Sequence, residues 1–477
     1  MSSMQENTQS KNIGSNFNAI TDSFVLDMPE ARIRKLTVGW LLLSLGALVI
    51  GGLFSLLIVL SRTPYFQEVI PFSDFFHTAL VVHVDMTVLV WFLGFAGVLW
   101  NLNSSVRCVR CGWFALGLSV LGTVIITLAP FFGAAEPLMN NYVPVLQHPL
   151  FLFGLGLFGL GFTLLVINGL FFSHSVKSTI SGEGALRFGL YTALVAAFVS
   201  IAVLIMSYID MPDFAISAYF YELLFWDAGH TIQFMHIQLM LVSWLWMATL
   251  AGVSLKLSPR VALIIFAIGL LPIILTPFIY SMYDLGAATH KQAISYLMQY
   301  GGGLASLPIG LIILFGFIKS KKSHFKIGPE FYALVFSMLL FGVGGVIGFM
   351  ISGSNVTVPA HYHGSIVAVT LAYMGVTFHI LPRLGFKEIK SKWATRQPVI
   401  YAAGQLMHII GLVWSGGYGV QRKTAGVDQG LVDIERIMSM GIMGLGGLIA
   451  VIGGIMFLVI VFKSMWGARY TLGETNR

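Results

Sequence analysis

The 477-residue sequence predicts an all-α polytopic membrane protein with a bundle of twelve transmembrane helices, and three observations predict it. Of its residues 57% are hydrophobic and 10% charged, with a mean hydropathy of +0.84, which is outside the composition of water-soluble domains. Twelve apolar runs are each long enough to cross a hydrocarbon core of about 30 Å, which takes about 20 helical residues. The basic residues between those runs fall almost entirely in alternate connections.

The runs start near Val38, His77, Gly112, Leu146, Phe188, Gly229, Val261, Leu297, Phe331, Ala360, Val399 and Ile437. Of the 27 Lys and Arg, five (Arg62, Lys291, Arg422, Lys423 and Arg436) fall in odd-numbered connections, and the other 22 lie in even-numbered connections or at the termini. By the positive-inside rule both termini are then cytoplasmic, and an even helix count is required. The same rule accounts for the net charge of +7, so no nucleic-acid partner is needed to explain it.

Residues 1–30 are polar and hold no apolar core of a signal peptide, so they are expected to form a disordered cytoplasmic tail ahead of a membrane domain spanning 31–477. Cys108 and Cys111 form a lone C-x-x-C with no further residues to complete a four-ligand zinc site. A twelve-helix transporter is the rival class, but repeated halves and midplane helix breaks are not evident in the sequence.

The histidines carry the functional signal. In this topology His83 of the second run, His230 of the sixth, His290 at the outer end of the seventh, and His361 and His363 of the tenth share one depth near the outer face. Ionisable residues at membrane depth are costly and mark functional sites, and imidazole is the commonest protein ligand for iron and copper. His77, His148, His236, His379 and His408 show no such convergence and read as structural.

Residues two apart on a helix are separated by about 200°, so His361 and His363 face opposite sides and one helix can serve two metal centres. His363 can pair with His83 across one haem, which leaves His361 as the single ligand of a second, open-faced haem. His230 and His290 remain for a further metal opposite that open face.

On these residues the chain resembles the catalytic subunit I of the haem-copper oxygen and nitric oxide reductases. The resemblance covers nearly the whole chain and rests on four stretches: "VVHVDMTVLVWFLGFAGVLW" with His83, "WDAGH" from Trp226 to His230, "ATHKQ" around His290, and "HYH" from His361 to His363. It implies a low-spin haem on His83 and His363, a high-spin haem on His361, and one copper or non-haem iron on His230 and His290. Electrons would come from a separate cytochrome c-type or copper-bearing subunit, with further small membrane subunits possible, in a bacterial inner membrane. The substrate implied is O2, reduced to water, or NO, reduced to N2O. Arg422 and Lys423 fall where haem propionates would be met.

The departures from that family also matter. Where the family has two adjacent histidines for the copper, His290 is flanked by Thr289 and Lys291. Phe234 and Ile232 stand where some oxidases carry a tyrosine and a channel-ending glutamate. Tyr283, seven residues before His290, fits the place of a redox tyrosine if its helix continues. Asp227, three residues before His230, offers a carboxylate to the second metal, which would favour iron over copper. Asp85 and Asp284 lie close by in sequence.

Overall fold

The computed structural model describes residues 23–65, 73–133, 136–176, 180–213 and 215–466. Its helices are α1 Ala31–Arg62, α2 Phe76–Leu102, α3 Val109–Phe131, α4 Pro149–Phe172, α5 Gly182–Ile209, α6 Ala218–Leu250, α7 Pro259–Met282, α8 Ala288–Lys319, α9 Pro329–Met350, α10 Thr357–Arg383, α11 Lys392–Gly417 and α12 Ile434–Trp466. Eleven of these are both long and apolar enough to span a membrane. The exception is α6, a 33-residue helix whose apolar run is interrupted by Glu222, Asp227, His230, Gln233, His236 and Gln238. Those polar residues make it less apolar than the other eleven.

Consecutive helices pair along the bundle, α3 with α4, α5 with α6, α9 with α10 and α11 with α12, while α12 returns to pack on α1. The inner helices are α2 and α10: 67% and 83% of their most apolar stretches are buried, against 33% for α1. Only surfaces turned to lipid can stay apolar without packing, so these two helices have no lipid face to speak of. Both carry candidate ligands. A two-stranded ribbon, β1 Pro137–Leu138 and β2 Val145–Leu146, folds the α3–α4 connection over the end of α2.

Three expectations change. Residues 1–22 of the expected tail lie outside the described residues, but 23–30 are placed, with Phe24 and Leu26 each 1% exposed in the core. Ser23 lies so close to Gly182, at the start of α5, that a side chain there would overlap its backbone. The helix carrying Tyr283 does not continue: α7 ends at Met282, Tyr283 is extended (φ −140°, ψ 138°), and the next helix begins at Ala288. His290 therefore stands in the first turn of α8 and not at the end of α7. Cys108 and Cys111 are joined in a disulfide at the start of α3.

Candidate functional site

His83 sits one residue before the end of the α-helical first half of α2, and a π-helical turn follows from Asp85 to Val90. Such turns are rare and recur at functional sites. The Nδ1 of His83 lies 2.9 Å from the carbonyl of Gly51 on α1. Asp85, fully buried, has neither carboxylate oxygen paired among the described residues.

On α10 the two histidines do face opposite neighbours. The Nδ1 of His361 is 2.7 Å from the carbonyl of Gly344 on α9, and the Nδ1 of His363 is 3.2 Å from Oε1 of Gln405 on α11. The first bond depends on glycine: a Cβ at Gly344 would overlap the backbone of Gly364, so only glycine lets α9 approach α10 this closely. His363 lies within electrostatic reach of His83. His408 of α11, read as structural, lies beside it with ring centroids 4.5 Å apart and the rings tilted by 60°.

These bonds settle which nitrogen is available. A carbonyl oxygen can only accept, so Nδ1 of each of the three histidines donates, and the lone pair is left on Nε2. Metal-bound histidines are anchored this way through the other nitrogen. The three haem candidates therefore suit axial ligation, each half-buried and each gripped by a different helix.

The second metal position is built differently. His230 donates Nδ1 to the carbonyl of Trp226 at 2.8 Å, with the hydroxyl of Tyr142 2.9 Å from the same nitrogen. The Tyr142 ring lies flat against α6 where a Cβ at Gly229 would overlap it. Gln233 donates to the same hydroxyl at 3.1 Å. Burial, the largest cause, pushes the Tyr142 phenol well above its usual pKa.

His290 has no free nitrogen. Its Nε2 meets Oδ2 of Asp227 at 2.6 Å and its Nδ1 meets the carbonyl of Tyr283 at 3.0 Å. Tyr283 is 36% exposed, and what it contributes to the site is its backbone carbonyl. Asp284 is also exposed. Among the described residues no three His, Cys, Asp or Glu side chains converge as a metal site would require. The donors present among the described residues do not fit a second metal.

Arg422 donates to Ser354 at 3.2 Å and lies within electrostatic reach of Tyr362, between the two α10 histidines. Lys423 points elsewhere, donating to the carbonyls of Met139 and Asn140 at 3.3 and 3.0 Å; burial lowers its pKa to about 8. The cation within electrostatic reach of His363 and His408 is the half-buried Arg62, which donates to Gln429 and Gln421. Sequence reasoning missed Arg62, Tyr142 and His408. The one signal for Arg62 was its place as a lone basic residue at the outer end of the first helix.

The chain is 28% identical over 501 residues to a Rickettsia prowazekii (strain Madrid E) protein described as uncharacterized, covering 91% of this chain and 96% of that one. It is 30% identical over 359 residues to an Aquifex aeolicus (strain VF5) protein with the same description, covering 74% and 86%. A solved heme-copper terminal oxidase dimer shares the fold, with a TM-score of 0.71 at 17% identity over 92% of this chain and 86% of that one. The family Cytochrome C and Quinol oxidase polypeptide I matches residues 35–468, and by that match the chain belongs to the subunit I family of the haem-copper oxidases.

Proposed function

We propose that this chain is the haem-carrying catalytic subunit of a membrane-bound terminal reductase that reduces O2 to water with electrons from a separate cytochrome c-type or copper-bearing subunit. The observation that carries this reading is the shared anchoring of His83, His361 and His363. Each has Nδ1 held by an acceptor and Nε2 left free. In this reading two haems, when bound, supply one-electron carriers and an open iron for a diatomic gas. His83 and His363 hold the first and His361 the second.

The protein's own part is to orient and to exclude water. Gly51, Gly344 and Gln405 fix the ring planes of the three ligands. Trp226, Tyr142 and Gln233 fix His230 so that its Nε2 faces away from the Tyr142–Trp226 side. Arg62 and Arg422 are the cations placed to meet carboxylates of the bound groups, in place of the Arg422 and Lys423 pair expected from the sequence.

Reduction of NO to N2O is a second reading, favoured by the lack of a fitting set of donors at the second metal position among the described residues. O2 takes four electrons and four protons to give two waters, whereas two NO take two electrons and two protons to give N2O and water. Two haem sites hold two electrons at once, which matches NO with no further metal. Haem analysis of the purified chain together with O2 and NO consumption, driven by a reduced cytochrome c, tests both. Two haems with faster O2 than NO turnover supports the first reading, and the reverse order supports the second. Protein without haem would overturn both.

A further inference from the structure

We propose that the position at which subunit I polypeptides of the resembled family place a second metal is, in this chain, a metal-free buried pair of Asp227 and His290 that locks α6 to the corner between α7 and α8. The inference stands on geometry and does not depend on whether haem is bound.

His290 and Asp227 are each 1% exposed, and their contact is 2.6 Å long, within the range of charge-assisted bonds. The opposite nitrogen of His290 is held by the Tyr283 carbonyl. Nδ1 carries a proton donated to that carbonyl, and Nε2 is either protonated itself or has its lone pair engaged by the Asp227 proton, so neither ring nitrogen has a lone pair to spare for a metal. The ring is fixed from a third side by Tyr280, whose ring meets it edge to face at 4.9 Å. The Tyr280 hydroxyl is in turn tied to Ser207 on α5 at 2.7 Å and lies within reach of Asp227. Four helices therefore meet in one hydrogen-bonded knot.

The residue next in sequence argues the same way. Lys291 lies with its ammonium 3.9 Å from the centre of the Trp226 ring and 3.2 Å from Glu222, within electrostatic reach of His230. A fixed cation there opposes a second cation. The donors left over are Nε2 of His230 and the unpaired Oδ1 of Asp227. Two donors are fewer than the three or four protein ligands typical of bound zinc, copper or non-haem iron.

A bound pair of this kind is costly to break from one side, because the remaining partner is left buried and uncompensated. That separates a structural lock from an empty ligand set. The full chain is purified from cells grown with added copper and iron, desalted, and analysed for metals against haem. The expected result is iron fully accounted for by haem, with no copper above background, and no copper(I) or iron(II) retained after anaerobic loading. Retention of one equivalent of copper or non-haem iron per chain, lost in His290→Ala, would overturn the proposal. A preparation lacking haem would sink the proposed function, yet metal per protein would still be read after loading.

The second readout is thermal unfolding of the metal-stripped protein. His290→Ala is expected to lower the midpoint, whereas Asp227→Asn, which keeps a hydrogen bond to His290, lowers it less. Equal midpoints for the wild type and His290→Ala would mean the lock does not exist.

Discussion

His83 and His363 each keep one nitrogen free only because the other is tied, and this gives ligand and anchor separable phenotypes. Replacing His83 or His363 with alanine should abolish the six-coordinate low-spin spectrum while the chain still inserts. His361→Ala should keep that spectrum and eliminate carbon monoxide binding to the reduced protein, since its haem would lose the single ligand assigned to it. Gln405→Leu retains His363 but removes its acceptor, so the low-spin haem should be held about 10–100-fold more weakly. An unchanged haem content in Gln405→Leu would show that the anchor is dispensable. At this scale the sequence was readable where chemistry follows spacing, as for His361 and His363 on opposite sides of α10. It was unreadable where the partner is remote: Tyr142 reaches His230 across 88 residues, and no local pattern in either segment announces the contact.

The same limit appears at the level of helices. Twelve apolar runs were legible because the bilayer fixes their length. The π-helical turn after His83 was not, because neither residue spacing nor hydropathy marks one extra residue in a turn. The break between Met282 and Ala288 moved His290 onto α8 and left Tyr283 outside any helix, although Pro277 and Gly286 were present as breaker signals. Gly344 is where helix packing and ligation meet. Gly344→Leu should wedge α9 from α10, costing about 1–3 kcal/mol as overpacked cores do, and should remove carbon monoxide binding while sparing the low-spin spectrum. Loss of both signals together would show that the two haem sites are not held by separate helix contacts. Lys423 ties the α11–α12 connection to the ribbon beside β1, and burial lowers its pKa from 10.5 to about 8. Between those values the unfolded chain binds more protons than the folded one, so this group makes stability rise with pH across roughly pH 8 to 10.5. The thermal midpoint of wild type relative to Lys423→Met should therefore climb from pH 7.5 to 10; a flat difference would mean that the lysine is solvated.

Across the whole molecule, twelve helices bring the chain back to the side on which it began, so one measurement at either end fixes every connection between. The basic residues decide which side that is. Five of the 27 Lys and Arg lie in or beside odd-numbered connections, and all five, Arg62, Lys291, Arg422, Lys423 and Arg436, have hydrogen-bonding partners of their own. Their placement answers local packing and costs the orientation signal little. The basic clusters Lys319 to Lys326 and Arg383 to Arg396, in which Lys390 pairs with Glu388 and Arg396 lies over Trp393, both follow even-numbered helices and are the ones that the positive-inside rule counts. In the orientation expected from the positive-inside rule, the candidate ligands would lie toward the non-cytoplasmic face, and the proposed electron donor would be met on that side. A fluorescent reporter fused after Arg477 should fluoresce in the cytoplasm, and alkaline phosphatase inserted at Gly426 should be active outside it. The opposite pair of results would invert the molecule, set the haem ligands against the cytoplasmic face, and require the electron donor to be sought there.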